Sequence, residues 1–100
     1  MEAAKPTKAE QIEDLESQIK MLEKSARSFS IDTEILEQEE REYKAARDNE
    51  DNSLTIRLMA ARAIRHVYPE LWAAHKMTKE CTEGAQGLRR RLERMKEEGK

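Results

Sequence analysis

The chain has 100 residues, of which 40% are Asp, Glu, Lys or Arg and only 4% are aromatic, with three Gly and two Pro. That length makes one small domain, and that composition belongs to long solvated helices and excludes a β-rich fold. The net charge of −2 hides an asymmetry, because residues 1–50 carry 8 basic and 14 acidic side chains (−6) and residues 51–100 carry 11 and 7 (+4). Folding the halves against each other pairs opposite charges. Hydrophobic residues reach 37%, so the core is predicted to be thin and drawn from narrow helix stripes, with no deep substrate pocket.

The first helix has a written start. Thr7 stands three residues before Glu10, the spacing of an N-cap hydroxyl and a reciprocating carboxylate, so helix is predicted from about Lys8. Ile12, Leu15, Ile19, Leu22, Ala26, Phe29, Thr33, Leu36, Glu40 and Tyr43 then alternate at spacings of four and three, a heptad seam for helices crossing at a shallow angle. Ile31 and Ile35 fall off that seam and predict a second packing neighbour at mid-helix.

Asp48-Asn49-Glu50-Asp51-Asn52-Ser53 concentrates short polar side chains that compete for backbone hydrogen bonds, which marks a hairpin corner, with Ser53 able to cap the next helix. In that helix Ile56, Ala60, Ala63, Ile64, Val67, Leu71 and Ala74 recur at helical spacing, and Leu58, Met59, Tyr68 and Trp72 widen the apolar face. The simplest place for Tyr68 and Trp72 is the core, and the alternative is an exposed interface anchor. Pro69 interrupts one backbone hydrogen bond inside a continuing pattern, which predicts a kink and not a stop. Gly84 and Gly87, each costing about 1 kcal/mol in a helix interior, predict a short connection before a last stripe of Ala85, Leu88, Leu92 and Met95. The expectation is therefore one all-α domain over 1–100: an antiparallel three-helix bundle, or long helical hairpin with coiled-coil-like packing, with helices at about 8–48, 53–79 and 85–98.

Little in the sequence suggests chemistry. His66, His75 and Cys81 are nine and six residues apart, which does not stack them as metal ligands on one face, and a lone Cys81 has no base placed beside it. No metal, cofactor or catalytic function is expected. Arg89-Arg90-Arg91, Arg94 and Lys96 are interrupted by Glu93, Glu97 and Glu98, so they are assigned to glutamates of the first helix such as Glu10, Glu13 and Glu16 and not to nucleic acid. The longest mostly apolar stretch, Leu58 to Ile64, contains Arg62 and is far too short to span a bilayer, and no apolar leader opens the chain. Together with the single cysteine this predicts a cytoplasmic protein without a membrane partner.

Two segments carry a resemblance. Arg65-His66-Val67-Tyr68-Pro69-Glu70, and Gln38-Glu39-Glu40-Arg41-Glu42-Tyr43 leading to Arg47 and an acidic turn, are similar to segments of the tubulin-binding cofactor A family. The similarity covers roughly residues 30–75 and extends to total length. The second helix departs from the family by opening Ser53-Leu54-Thr55-Ile56-Arg57, and the chain after Pro69 is shorter. The resemblance implies a helical-bundle chaperone that captures β-tubulin folding intermediates without nucleotide or metal. It places polar contacts at Glu37, Glu40, Glu42, Arg65 and Glu70 and anchors at Tyr68 and Trp72. The competing expectation is a coiled-coil scaffold subunit of a cytoskeletal, trafficking or kinetochore assembly, with self-association into a homodimer left open.

Overall fold

The computed structural model describes residues 5–98, so both ends of the expected 1–100 domain lie outside the described residues. Two helices account for almost all of it: α1, Lys8–Asp48, and α2, Leu54–Glu98, joined by a five-residue corner. They lie antiparallel in a rod of 71 × 32 × 13 Å with a radius of gyration of 22.0 Å, far above the roughly 13 Å of a compact 100-residue domain. The rod is one helix thick, so each helix has a partner on one side only.

The ends of both helices are capped as the sequence foretells. Thr7 Oγ1 accepts the Glu10 amide at 3.2 Å, and Ser53 Oγ accepts the Ile56 amide at 3.3 Å, each satisfying a first-turn donor that has no partner inside its helix. At the corner Asn49 Oδ1 accepts from the Asp51 amide at 3.0 Å. The unpaired carbonyls that end α1 are taken up from across the turn, because Asn52 Nδ2 donates to Ala46 O at 2.9 Å and Arg57 Nε donates to Arg47 O at 2.8 Å. Polar residues that disfavour helix thus also lock the chain reversal.

The hairpin is a two-stranded antiparallel coiled coil. On α1 every residue of the expected seam from Ile12 to Glu40 is buried or half-buried, and Tyr43 lies at its margin. On α2 the positions Arg57, Ala60, Ile64, Val67, Leu71, Ala74, Thr78, Cys81, Ala85, Leu88, Leu92 and Met95 alternate at three and four and none is exposed. The bulky core sits away from the corner, where Leu15, Ile19 and Leu92 pack with Ile12, Leu88 and Met95; burying such a side chain stabilises by about 1.5–3 kcal/mol. Small residues fill the middle, among them Ala60, Ala74, Cys81 and Ala85. Buried Thr33 costs little there because its hydroxyl donates back to Phe29 O at 2.8 Å.

The expected third helix is not separate. α2 runs unbroken through Pro69 and through Thr78–Gly87. Pro69 is exposed, on the side facing away from α1, where its missing amide and its ring disturb no interhelix contact. The glycine cost is outweighed by the seam: α1 offers apolar side chains as far down as Ile12, and only an uninterrupted α2 brings Leu88, Leu92 and Met95 against them. Gly84 lies beside the seam, where an added Cβ would stand 3.4 Å from Leu22 Cδ1. Nothing lies within 4 Å of a Cβ at Gly87. Gly87→Ala is therefore expected to raise stability by about 0.5–1 kcal/mol in thermal or urea melts; a loss of stability would mean that Gly87 serves a turn.

Candidate protein-docking face

The heptad register fixes which side of the rod each residue occupies. Calling the seam positions a and d, the e positions of both helices meet along one edge, where Glu16 faces Lys96 at 3.9 Å, Glu23 pairs with Arg89, and Glu37 Oε1 meets His75 Nε2 at 3.2 Å. Of the five bases expected to answer the first helix, Arg89 and Lys96 do so, reaching Glu23 and Glu16, whereas among the described residues Arg90, Arg91 and Arg94 form no ion pair and Glu10 and Glu13 are not reached. Such exposed pairs contribute only tenths of a kcal/mol each, but their regular seven- and fourteen-residue spacing specifies alignment.

Along that edge, near the corner, α2 carries a second stripe. Leu54, Leu58, Ala61, Arg65, Tyr68 and Trp72 fall at spacings of four and three, the same period as the seam but rotated outward to the e and b positions. Ala61 is half-buried and the rest of the stripe is exposed. Leu54, Leu58, Tyr68 and Trp72 are strongly exposed, Tyr68 and Trp72 at 61% and 64%. The core placement of Leu58, Met59, Tyr68 and Trp72 is therefore corrected: a two-helix rod uses one stripe per helix, and these side chains lie outside it. Trp72 carries Lys76 Nζ at 5.4 Å from its ring centroid, a cation–π contact on the open face.

The remaining expected contact residues scatter. Arg65 and Tyr68 join Trp72 on the stripe. Glu37 is tied to His75, and Glu42 is exposed on the outer face of α1, accepting from Gln38 Nε2 at 3.2 Å. Glu70 lies on the opposite edge, in a shallow groove with Phe29, Asp32 and Leu36. Glu40 occupies a seam position, with Oε1 2.7 Å from Lys44 Nζ and Oε2 shielded from solvent without a hydrogen-bond partner. It is a half-buried seam residue paired with Lys44. Ile31 and Ile35, expected to meet a second neighbour, are exposed on the outer face of α1. Leu54 was absent from the expected face; its spacing of four from Leu58 was the available signal.

At the tip the Asp48 carboxyl is held below its ordinary range, first by the hydrogen bond it accepts from Arg47, and the Arg47 guanidinium is raised by the same bond. The two are neighbours in sequence and their charged ends remain open to solvent, so the pair adds little to stability. Among the described residues no three His, Cys, Asp or Glu side chains gather as a metal site, and no helix is long and apolar enough to cross a membrane. Cys81 is buried in the seam, packed as a small apolar residue. Grooves between the helices, such as that lined by Glu23, Ala26, Arg27, Thr82 and Arg89, are open troughs.

Glu40→Leu removes a desolvated carboxylate oxygen and extends the apolar seam opposite Val67. It is expected to stabilise the hairpin by about 1 kcal/mol in chemical denaturation; destabilisation would show that the carboxylate makes a favourable interaction in the fold. Compared with protein-family models, curated proteins and solved structures, the chain has no significant match.

Proposed function

We propose that this chain is a non-catalytic assembly module, a rigid helical hairpin that docks onto a protein partner through the open stripe of α2. The observation that carries the reading is the stripe itself: Leu54, Leu58, Tyr68 and Trp72 stay in water in one row along an edge of the rod, whereas the other large exposed apolar residues of α2, Ile56, Met59 and Met77, fall outside that row. Isolated apolar side chains on a surface need no explanation, but a row with heptad spacing, an indole and a phenol is the pattern of an interface core. The spacing suits a partner helix laid nearly parallel to α2. Such a helix would complete in trans the three-helix bundle that one chain does not form. A bend at Pro69, which lies between Tyr68 and Trp72, would set the curvature of the docking face. The module fits a cytoplasmic scaffold of cytoskeletal, trafficking or kinetochore type.

A second reading is capture of β-tubulin folding intermediates. It is favoured by one observation: Arg65 and Tyr68, two residues of the Arg65-His66-Val67-Tyr68-Pro69-Glu70 segment on which the resemblance to the tubulin-binding cofactor A family rests, lie on the open stripe. In that reading Tyr68 and Trp72 anchor the client, and Arg65, Glu37, Glu42 and Glu70 give polar contacts that permit release.

Both readings place binding on Tyr68 and Trp72. Converting each to Ala is expected to shift thermal stability little, by about 0.5 kcal/mol or less for an exposed position, while weakening capture of the partner at least tenfold. Binding of the wild-type chain to chaperonin-released β-tubulin and to helical assembly subunits, measured side by side, separates the two readings. Unchanged capture by the variants, or a large loss of stability, would remove the stripe as the docking face.

A further inference from the structure

The open stripe of α2 is basic and a second apolar patch on the same chain is acidic. Residues 54–72, the span of the stripe, contain Arg57, Arg62 and Arg65 and one acid, Glu70, which lies on the opposite edge, whereas residues 31–42 contain six acids and one base. Arg62 and Arg65 border the stripe, and among the described residues neither has a carboxylate within 4.0 Å. On the outer face of α1, exposed Ile31 and Ile35 are flanked by Asp32, Glu34 and Glu42, which likewise lack a cationic partner within that distance. Charges at the e–e edge elsewhere in the rod are paired, whereas those named here beside the two apolar patches are not. The patches cannot meet within one chain. Ile31 and Ile35 occupy the f and c positions of α1, turned away from α2, and the stripe occupies the e and b positions of α2.

We propose that the occupant of the stripe is a second copy of this chain, seating its Ile31 and Ile35 on Tyr68 and Trp72, which have the same four-residue spacing, and its Asp32, Glu34 and Glu42 toward Arg62 and Arg65. The lengths agree: at 1.5 Å per residue the stripe from Leu54 to Trp72 runs about 27 Å and residues 31–42 about 17 Å, so the acidic segment lies within the stripe. The contact joins two different surfaces and is heterologous, so each added copy leaves one stripe and one acidic patch open for the next. Two isoleucines make a small apolar centre, well below the standard interface size. Association is therefore weak, reversible and dependent on ionic strength. The proposal rests on reading the stripe as a docking face and names what fills it.

Sedimentation velocity on the full-length chain tests it across concentration at low and high salt. The expected result is a weight-average mass that climbs above the monomer with concentration and falls back as salt is added. Glu34→Arg with Glu42→Arg gives a chain basic on both patches, and Arg62→Glu with Arg65→Glu gives one acidic on both. Each should associate at least tenfold more weakly alone, and an equimolar mixture of the two should associate again, because the reversed patch of one complements the reversed patch of the other. Circular dichroism on each variant verifies the helical fold. A wild-type chain that stays monomeric throughout, or an oligomer indifferent to both reversals, overturns the proposal. Mixing without recovery does the same. If self-association fails while Tyr68→Ala and Trp72→Ala still abolish capture of a different protein, only the identity of the occupant is lost; if capture is also unaffected, the docking reading falls with it.

Discussion

Everything in this fold depends on a single interhelix seam. Two helices of 41 and 45 residues touch along one a/d stripe each, and among the described residues no large side chain is completely withdrawn from solvent. Stability then comes from length: many small increments of burial repeated every three or four residues, with the largest at the end where Leu15, Ile19 and Leu92 meet. A seam of this kind tolerates Thr33, whose hydroxyl returns to its own helix, and Glu40, which is partly rescued by Lys44. It leaves more than half of each helix surface without a neighbour.

The charge pattern follows from the thin seam. With little core to fix alignment, the e-position pairs of Glu16, Glu23 and Glu37 with Lys96, Arg89 and His75 favour one antiparallel register over slipped ones. Their weakness in energy does not limit that role, since a register slip breaks all of them together. Toward the corner this pairing gives way to Tyr68 and Ala61 on the same edge, and the surface changes from charged to apolar. The e-position charge pairs and the open apolar stripe thus occupy different stretches of the rod.

Much of the architecture was legible because heptad spacing is a direct consequence of helix geometry. Both caps, the corner and the α1 seam down to Glu40 could be read from residue types at fixed offsets. Two features could not. Gly84 and Gly87 looked like a break because propensity is local, whereas the reason to stay helical lies 65 to 75 residues away in Ile12, Leu15 and Ile19. Tyr68 and Trp72 looked like core because side-chain type alone does not tell which of two adjacent stripes is used; the choice depends on how many helices share the chain. Counting the e and b residues as a second seam, and not as a wider first one, would have placed them at the surface. The scatter of Glu37, Glu40, Glu42 and Glu70 over seam, edge and outer face likewise follows from their phases on the wheel.

The account therefore turns on whether the isolated chain is a two-helix rod with its stripe in water, awaiting helices supplied by another molecule. Trp72 is the sole tryptophan of the chain and reports on that point alone. Its fluorescence in the wild-type protein, at concentrations low enough to keep the chain monomeric, is the most direct measurement. The hairpin predicts emission characteristic of hydrated indole and free access to a neutral quencher such as acrylamide. A blue-shifted emission protected from the quencher in the monomer would mean that the chain folds a third segment over the stripe, and would contradict the account.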